Sequence, residues 1–157
     1  GIGCSSNLPG FIHAYGFHSL HGRAIPVATG IKLANTDLNV VITGGDGDGY
    51  GIGIGHFIHA MRRNLDLTYV VMDNQIYGLT TGQASPTTSA GHVTKSTPHG
   101  NAEMPINPLA MAIVTGVTCP IVDAAKARPV ILATDLVLGR DQYATRYIKA
   151  YRQRRKP

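Results

Sequence analysis

The sequence predicts an α/β fold in which helices flank a parallel sheet. Two apolar runs, residues 39–43 and 67–73, have the length and the β-branched composition of buried strands. Residues 52–65 lie between them and carry apolar residues at the spacing of one helix face, namely Ile54, Phe57, Ile58, Met61 and Leu65. A strand, a helix and a second strand make a βαβ unit, in which the strands are parallel and their carboxyl ends share one edge of the sheet.

The segment before this unit predicts a loop followed by a helix. Residues 1–16 are dense in Gly, Pro, Ser and Asn, the composition of irregular backbone. Residues 22–35 predict a helix with Pro26 near its first turn, where proline is tolerated because no helical partner needs its missing N–H. The candidates for the buried side of this helix are Ile25, Ala28, Ile31 and Leu33.

The segment after the unit predicts a long loop and then another helix. Residues 75–101 are rich in Gly, Ser, Thr and Pro, and a loop of that length beside a ligand-binding sheet edge favours a functional role. Residues 107–117 predict a helix, with Asn107 as its N-cap and Pro108 at the first helical position.

Oxygen-bearing side chains follow both predicted strands of the βαβ unit. Asp46 stands among the glycines of residues 44–49, and Asn74 follows the second strand. Both therefore fall on the sheet edge where open α/β folds bind ligands. Glycines let the backbone approach a phosphate and expose N–H groups at the start of the helix. Asp46, Asn74, a carbonyl near Ile76 and diphosphate oxygens would satisfy magnesium, which prefers about six oxygen ligands.

Three other glycine-rich motifs do not fit residues 44–55. A dinucleotide fingerprint requires G-x-G-x-x-G, which no start point in this stretch gives, and a Walker A loop requires G-K-[ST], which is absent. An EF-hand loop beginning at Asp46 would place Tyr50 and Phe57 at ligand positions. A glycine-rich turn with incidental acidic residues remains the structural alternative.

Bulk composition limits the classes of function. The chain of 157 residues, 43% of them hydrophobic, is long enough for one domain with a core. It has no apolar run of about 18 residues, so we expect no membrane span. Its two cysteines, Cys4 and Cys119, give no disulfide framework and favour a cytoplasmic setting. The net charge of +5 comes entirely from residues 119–157, which carry no nucleic-acid motif, so we expect no nucleic-acid partner.

Several segments of the chain carry a family resemblance. The Gly-Asp-Gly motif around Asp46, followed by Asn74, is similar to the thiamine diphosphate motif of the 2-oxoacid:ferredoxin oxidoreductases, and the chain resembles their beta subunit. Further matching segments are residues 3–6, 17–24, 73–80, 82–83, 85–87, 95–98 and 107–108. The resemblance covers residues 1–118 and implies a thiamine diphosphate-binding α/β domain whose N-terminal part is missing.

The resemblance implies a role for each matching residue of the cofactor site. Asp46, Asn74 and the carbonyl of Ile76 would bind magnesium. The residues implied at the diphosphate are Gly45, Gly47 and Asp48, which would line it, and Gly78, Leu79 and Thr80, which would close over it.

The resemblance also implies residues for catalysis and electron transfer. Ser5 and His21 would lie near the cofactor, with His21 as the candidate catalytic residue. Cys4 would bind a [4Fe–4S] cluster whose three other ligands are not present in this chain. Thr81 stands where many members have a Lys thought to meet the substrate carboxylate, which leaves the identity of the 2-oxoacid open. Glu103 does not match the glutamate that activates the cofactor, which a partner subunit or domain supplies in this family.

The implied reaction is the oxidative decarboxylation of a 2-oxoacid to an acyl-CoA, with electrons passed through the iron–sulfur cluster to ferredoxin. The implied partners are an alpha subunit, with gamma and delta subunits as further candidates, together with ferredoxin, the 2-oxoacid and coenzyme A. Two alternatives stay open: a cluster-free thiamine diphosphate-dependent decarboxylase or synthase, and a non-catalytic fragment.

Residues 119–157 form an atypical basic tail in this interpretation. The resemblance stops near Thr118, where the charge balance also changes. Two explanations stay open, a shifted reading frame and a divergent but genuine tail. In the second case, residues 129–139 predict a strand and residues 141–152 a helix.

Overall fold

The computed structural model describes residues 1–3 and 7–115 of the chain. This part contains three α-helices and four β-strands, together with a 3₁₀ turn and a π-helical turn. In chain order the elements are the 3₁₀ turn Leu8–Gly10, α1 Ala24–Ala34, β1 Val41–Gly45, the π-turn Gly47–Ile52, α2 Ile54–Arg63, β2 Thr68–Met72, β3 Ile76–Tyr77, β4 Gln83–Ala84 and α3 Pro108–Val114. The strand and the helix predicted within residues 119–157 lie outside the described residues.

β1 and β2 are parallel neighbours, as the βαβ prediction requires. Val41 lies opposite Thr68 at one end of the ladder, and Gly45 lies opposite Met72 at the other. The predicted α/β fold is therefore confirmed. β1 begins and ends two residues later than the predicted run 39–43, because its glycine end remains paired with β2. The carboxyl ends of both strands consequently lie side by side.

The apolar face predicted for the helix between the strands is confirmed. Phe57 and Met61 are almost fully buried in the core, while Ile54, Ile58 and Leu65 are partly buried and pack against it. The same core takes in α1, which contacts both α2 and β1, and α3, which contacts α2. The sheet edge that follows β1 is thus held on a rigid packed base.

α2 is shorter than the predicted helix over residues 52–65. The π-turn occupies the chain up to Ile52, and Asn64 ends the helix in a left-handed conformation with φ 51°. Asn tolerates this conformation better than most residues because its short polar side chain bonds locally. The chain therefore leaves Asp46 through a wide π-turn and enters the regular helix only at Ile54.

The buried side of α1 differs from the prediction at three positions, Ile31, Lys32 and Leu33. Ile25 and Ala28 are buried as expected, but Leu33 is 63% exposed. Lys32 is buried in its place, and its Nζ donates hydrogen bonds to the carbonyl oxygens of Thr36 and Leu38, both at 2.7 Å. A lysine can occupy such a position because its aliphatic stem packs like an apolar residue while the ammonium group finds acceptors.

Ile31, the fourth residue expected on the buried side of α1, is only half-buried. The buried ammonium of Lys32 also lies 3.2 Å from the Asp66 carboxylate, which is itself half exposed. The apolar spacing of α1 did not predict that Lys32 would be buried and held by these polar contacts.

The long loop predicted over residues 75–101 contains a small hairpin. β3 pairs antiparallel with β4, with Ile76 opposite Ala84. The helix predicted next is confirmed as α3: the Asn107 Oδ1 accepts a hydrogen bond from the Ala110 amide at 3.0 Å. Within residues 1–3 and 7–115, no helix combines the length and the apolar character that a membrane crossing requires.

Candidate thiamine diphosphate site

A cavity of about 160 Å³ lies at the carboxyl ends of β1 and β2. Ten of the residues predicted for the cofactor site line it: His21, Gly45, Asp46, Gly47, Asp48, Asn74, Ile76, Gly78, Leu79 and Thr80. Four lining residues were not predicted: Ile2, Gly3, Met72 and Tyr77. Cys4 and Ser5, also predicted for the site, lie outside the described residues.

Asp46 is a buried carboxylate at the end of β1, with only 2% of its surface exposed. Its Oδ2 accepts a hydrogen bond from the Thr87 hydroxyl at 2.8 Å. Among the described residues, no basic side chain forms an ion pair with Asp46. A buried charge of this kind is costly unless it is paired or binds a metal, so the carboxylate is suited to a cation.

The turn after β2 brings Asn74 and Ile76 to the same cavity. The Asn74 Oδ1 accepts a hydrogen bond from the Ile76 amide at 3.2 Å, and the Asp73 Oδ1 accepts one from the Gln75 amide at 3.0 Å. Side chains that bond two residues ahead fix a turn in this way. The Gln75 backbone has φ 59°, so the turn is held in a left-handed conformation.

The donor set around the cavity fits a hard cation better than a soft one. Within the part of the chain that the structure describes, no group of three His, Cys, Asp or Glu side chains converges as a metal site. The residues that line the cavity instead include Asp46, Asn74 and Ile76, whose oxygen donors are a carboxylate, a carboxamide and a backbone carbonyl. Magnesium takes such oxygen ligands and completes its shell with substrate phosphates, so these residues fit magnesium bound to a diphosphate.

Asp48 lines the cavity, as predicted, and its buried carboxylate also holds two backbone amides. The buried Oδ1 accepts hydrogen bonds from the Gly22 amide at 2.7 Å and from the Ile2 amide at 3.0 Å. His21 Nδ1 lies 3.2 Å from the same oxygen. Asp48 therefore ties two distant chain segments to the π-turn and orients the His21 ring at the cavity.

Gly47 is held against an aromatic ring. A Cβ at Gly47 would lie 2.1 Å from Tyr77 Cε1, a separation that no real side chain allows. The Tyr77 hydroxyl donates a hydrogen bond to the Gly47 carbonyl at 3.4 Å, and burial raises the pKa of that hydroxyl. Tyr77 was missed as a site residue, although it lies inside the matching segment 73–80.

The segment predicted to close over the diphosphate is the first part of the loop that joins β3 to β4. Leu79 is largely exposed beside the cavity. The Thr80 hydroxyl donates a hydrogen bond to Gln83 Oε1 at 2.7 Å, which braces the hairpin loop. Thr81, at the tip, has φ 101°, a conformation that favours glycine.

Two tyrosines lie beneath the glycine motif, and sequence reasoning gave them no part in the site. The hydroxyls of Tyr50 and Tyr69 are buried and find no hydrogen-bond partner within the described residues. Burial raises the pKa of both hydroxyls above the usual phenol range, and neighbouring ionisable groups add to the effect. The Tyr69 hydroxyl packs against Gly49, where a Cβ would lie 2.2 Å from it.

A known protein family matches the part of the chain that contains the cavity residues. The profile of the thiamine pyrophosphate enzymes, C-terminal TPP binding domain, matches residues 1–134. The chain belongs to this family. Thiamine pyrophosphate, or TPP, is thiamine diphosphate, so the family is the one expected from the glycine motif.

Individual relatives of this TPP domain share one kind of name. The 2-oxoacid:ferredoxin oxidoreductase subunit beta of Saccharolobus solfataricus is 58% identical over 120 residues, which are 75% of this chain and 39% of the relative. The 2-oxoglutarate synthase subunit KorB of Methanocaldococcus jannaschii is 42% identical over 153 residues, which are 98% of this chain and 56% of the relative. The resemblance to the beta subunits is thus confirmed.

A solved structure supports the same relationship. The 2-oxoglutarate:ferredoxin oxidoreductase from Magnetococcus marinus, with 2-oxoglutarate, coenzyme A and succinyl-CoA bound, is 53% identical with a TM-score of 0.73. The similarity covers 74% of this chain and 40% of that one. This TPP domain therefore spans well under two thirds of the relatives it matches.

The predicted domain boundary near Thr118 stays a prediction. The family profile extends to residue 134, and the alignment with the M. jannaschii relative includes most of residues 119–157. The reading of that segment as an atypical or frame-shifted tail lies outside the described residues.

Proposed function

We propose that the chain is the TPP- and magnesium-binding part of a 2-oxoacid:ferredoxin oxidoreductase. The proposal rests on the convergence of the buried Asp46 with Asn74 and Ile76 at one cavity. The names of the two relatives described above, a 2-oxoacid:ferredoxin oxidoreductase subunit beta and a 2-oxoglutarate synthase subunit, support the reaction class.

Each residue at the cavity has a proposed task. Asp46, Asn74 and the carbonyl of Ile76 hold magnesium, while the backbone at Gly45 and Gly47 approaches the diphosphate closely. The residues proposed to cover the diphosphate and exclude water are Gly78, Leu79 and Thr80. When bound, TPP supplies the carbon nucleophile and the electron sink for loss of carbon dioxide from a 2-oxoacid.

His21 is the proposed catalytic residue of this chain. Its Nδ1 faces the Asp48 carboxylate at 3.2 Å, so a proton on Nδ1 has an acceptor there. The other ring nitrogen, Nε2, is then left as a proton acceptor, and the half-exposed ring lines the cavity. We propose that Nε2 accepts or returns a proton at the substrate.

Apart from Cys4, the remaining machinery is proposed to lie outside this chain. An alpha subunit, with gamma and delta subunits as further candidates, would complete the site. Electrons would pass through a [4Fe–4S] cluster, with Cys4 as one ligand, to ferredoxin. Coenzyme A would take the acyl group, and the reaction would take place in the cytoplasm.

Because these parts come from elsewhere, we expect the chain alone to be inactive. Ferredoxin reduction by the isolated chain with a 2-oxoacid and coenzyme A would contradict this division of labour.

Calorimetric titration of TPP into the purified chain tests the cofactor site. We expect saturable binding with magnesium and none with EDTA. Asp46→Ala should abolish binding, while Asp37→Ala, which replaces an exposed aspartate that does not line the cavity, should bind like the wild type. Equal binding with EDTA, or unchanged affinity of Asp46→Ala, would overturn the proposed function.

A further inference from the structure

We propose that Thr87 is a positioning residue that orients the Asp46 carboxylate for magnesium. The inference rests on the proposed function, because it assumes that Asp46 binds the cation. Thr87 was not among the predicted site residues, and it does not line the cavity. Its effect would therefore be exerted through the side chains that it contacts, and not by direct contact with the ligand.

The Thr87 hydroxyl bridges two acidic side chains. Its Oγ1 lies 2.8 Å from Asp46 Oδ2 and 2.8 Å from Asp73 Oδ1. Thr87 and Asp46 are both buried, and they are 41 residues apart in the sequence. One buried side chain thus joins the end of β1 to the end of β2.

The chemistry of a hydroxyl makes this bridge asymmetric. A threonine hydroxyl has one proton to donate, so it can satisfy only one of the two carboxylates at a time. When the proton is donated to Asp46, it engages only one of the about four lone-pair sites that a carboxylate offers. The other sites of this buried carboxylate stay available. Fixing Oδ2 on Thr87 holds the plane of the carboxylate, and the orientation of its remaining lone pairs follows from that plane.

A network of hydroxyls fixes Thr87 itself. Ser85 Oγ lies 3.2 Å from Thr87 Oγ1, and the Ser85 amide donates a hydrogen bond to Thr88 Oγ1 at 2.7 Å. The Thr88 hydroxyl in turn donates to the carbonyl of Gln75, inside the turn that carries Asn74. The segment 85–88 therefore supports both strand ends that would supply magnesium ligands. Such supporting contacts orient metal ligands and tune their affinity.

Three substitutions at position 87 separate the hydroxyl from the shape of the side chain. Thr87→Val keeps the shape and removes the donor, Thr87→Ser keeps the donor, and Thr87→Cys provides only a weak donor. Thr94→Val is the matched control, because Thr94 is equally buried and its hydroxyl bonds Thr97 at 2.8 Å, within a separate cluster. Melting temperatures without ligand report how far each variant is destabilised.

The measurement is the magnesium concentration that gives half-maximal TPP binding to the full chain. We expect Thr87→Val to need at least about tenfold more magnesium, Thr87→Cys an intermediate amount, and Thr87→Ser and Thr94→Val within about twofold of the wild type. If Thr87→Val does not fold, the magnesium requirements of the wild type, Thr87→Ser and Thr87→Cys decide the question.

The outcomes are distinguishable. A folded Thr87→Val with the wild-type magnesium requirement, or Thr87→Ser and Thr87→Cys shifted equally, would overturn the role of Thr87 and leave the magnesium site standing. Absence of magnesium-dependent TPP binding by the wild-type chain would overturn the proposed function itself.

Discussion

The ring of Tyr77 lies directly over the backbone of Gly47, and the Tyr77 hydroxyl bonds the Gly47 carbonyl at 3.4 Å. The contact joins the two halves of the cavity, because Gly47 begins the π-turn after β1 and Tyr77 ends β3 after β2. It explains why the residue after Asp46 must lack a side chain.

Gly47→Ala should therefore displace the Tyr77 ring and weaken TPP binding. The added Cβ would lie 2.1 Å from Tyr77 Cε1, so the ring has to move. We expect at least about a tenfold rise in the Kd for TPP with magnesium, a loss of about 1.4 kcal/mol in binding free energy. Calorimetric titration measures it. Gly55→Ala is the control, because a Cβ there meets nothing within 4 Å, and equal affinity of the two variants would contradict the steric account.

Asp48→Ala should destabilise the fold. The change leaves the buried amide of Gly22 and the partly buried amide of Ile2 without their acceptor. A buried unsatisfied donor costs about 1–3 kcal/mol, so we expect a loss of about 2 kcal/mol or more in the free energy of unfolding. Urea denaturation followed by circular dichroism measures it.

Asp48→Asn distinguishes a hydrogen-bonding role from a purely electrostatic one. Asn keeps an Oδ1 acceptor, so Asp48→Asn should lower the free energy of unfolding clearly less than Asp48→Ala does. The exposed Asp37→Ala should change stability by less than about 0.5 kcal/mol. If Asn and Ala at position 48 were equally destabilising, the amide bonds would not be the cause.

The two buried tyrosine hydroxyls should make stability depend on alkaline pH. Burial raises the pKa of Tyr50 and Tyr69 in the folded chain. An unfolded tyrosine loses its proton near pH 10. Above that pH the unfolded state releases protons that the folded state keeps, so the stability present below about pH 10 is lost as the pH rises.

The double variant Tyr50→Phe, Tyr69→Phe should show a shallower fall in melting temperature between about pH 9 and 11 than the wild type. At neutral pH it should be at least as stable, because it removes two hydroxyls that lack partners within the described residues. An identical pH profile in the two proteins would contradict the assignment of the effect to this pair.

Lys32→Met should destabilise the chain although it replaces a charge by an apolar side chain. The buried ammonium is the donor for the carbonyls of Thr36 and Leu38. Removing it leaves both acceptors dependent on water, and we expect a loss of about 2 kcal/mol in urea denaturation.

Asp66→Asn should cost less than about 1 kcal/mol, because that carboxylate is half exposed and its ion pair with Lys32 is screened by solvent. Lys95→Met, at an exposed position, is the control for loss of charge. If Asp66→Asn destabilised the chain more than Lys32→Met, the ion pair with Asp66, and not the hydrogen bonds to the carbonyls, would be the main contribution of Lys32.

The sequence carried the information that places Asp46 and Asn74 together. The apolar periods of the two strands and of α2 predict a βαβ unit, and parallel strands bring their carboxyl ends to one edge. Both residues do line one cavity. Local spacing sufficed here because the geometry of the unit depends on the kind of element and not on individual long-range contacts.

Contacts between distant segments were not accessible in the same way. Thr87 reaches Asp46 across 41 residues, and Asp48 bonds Gly22 across 26. No period or local motif encodes such pairs, since they depend on how a loop folds back over the sheet edge. The burial of Lys32 was missed for a related reason. The carbonyls that accept its hydrogen bonds come within reach of the ammonium group only once the turn after α1 has formed.

A crystal structure of the chain with TPP and Mn²⁺ in place of magnesium would locate the cation and the cofactor together. We expect an anomalous difference peak among the Asp46 carboxylate, the Asn74 side chain and the Ile76 carbonyl, with the diphosphate of TPP bound to the same ion. A Mn²⁺ peak away from Asp46, or TPP bound elsewhere on a correctly folded chain, would contradict it.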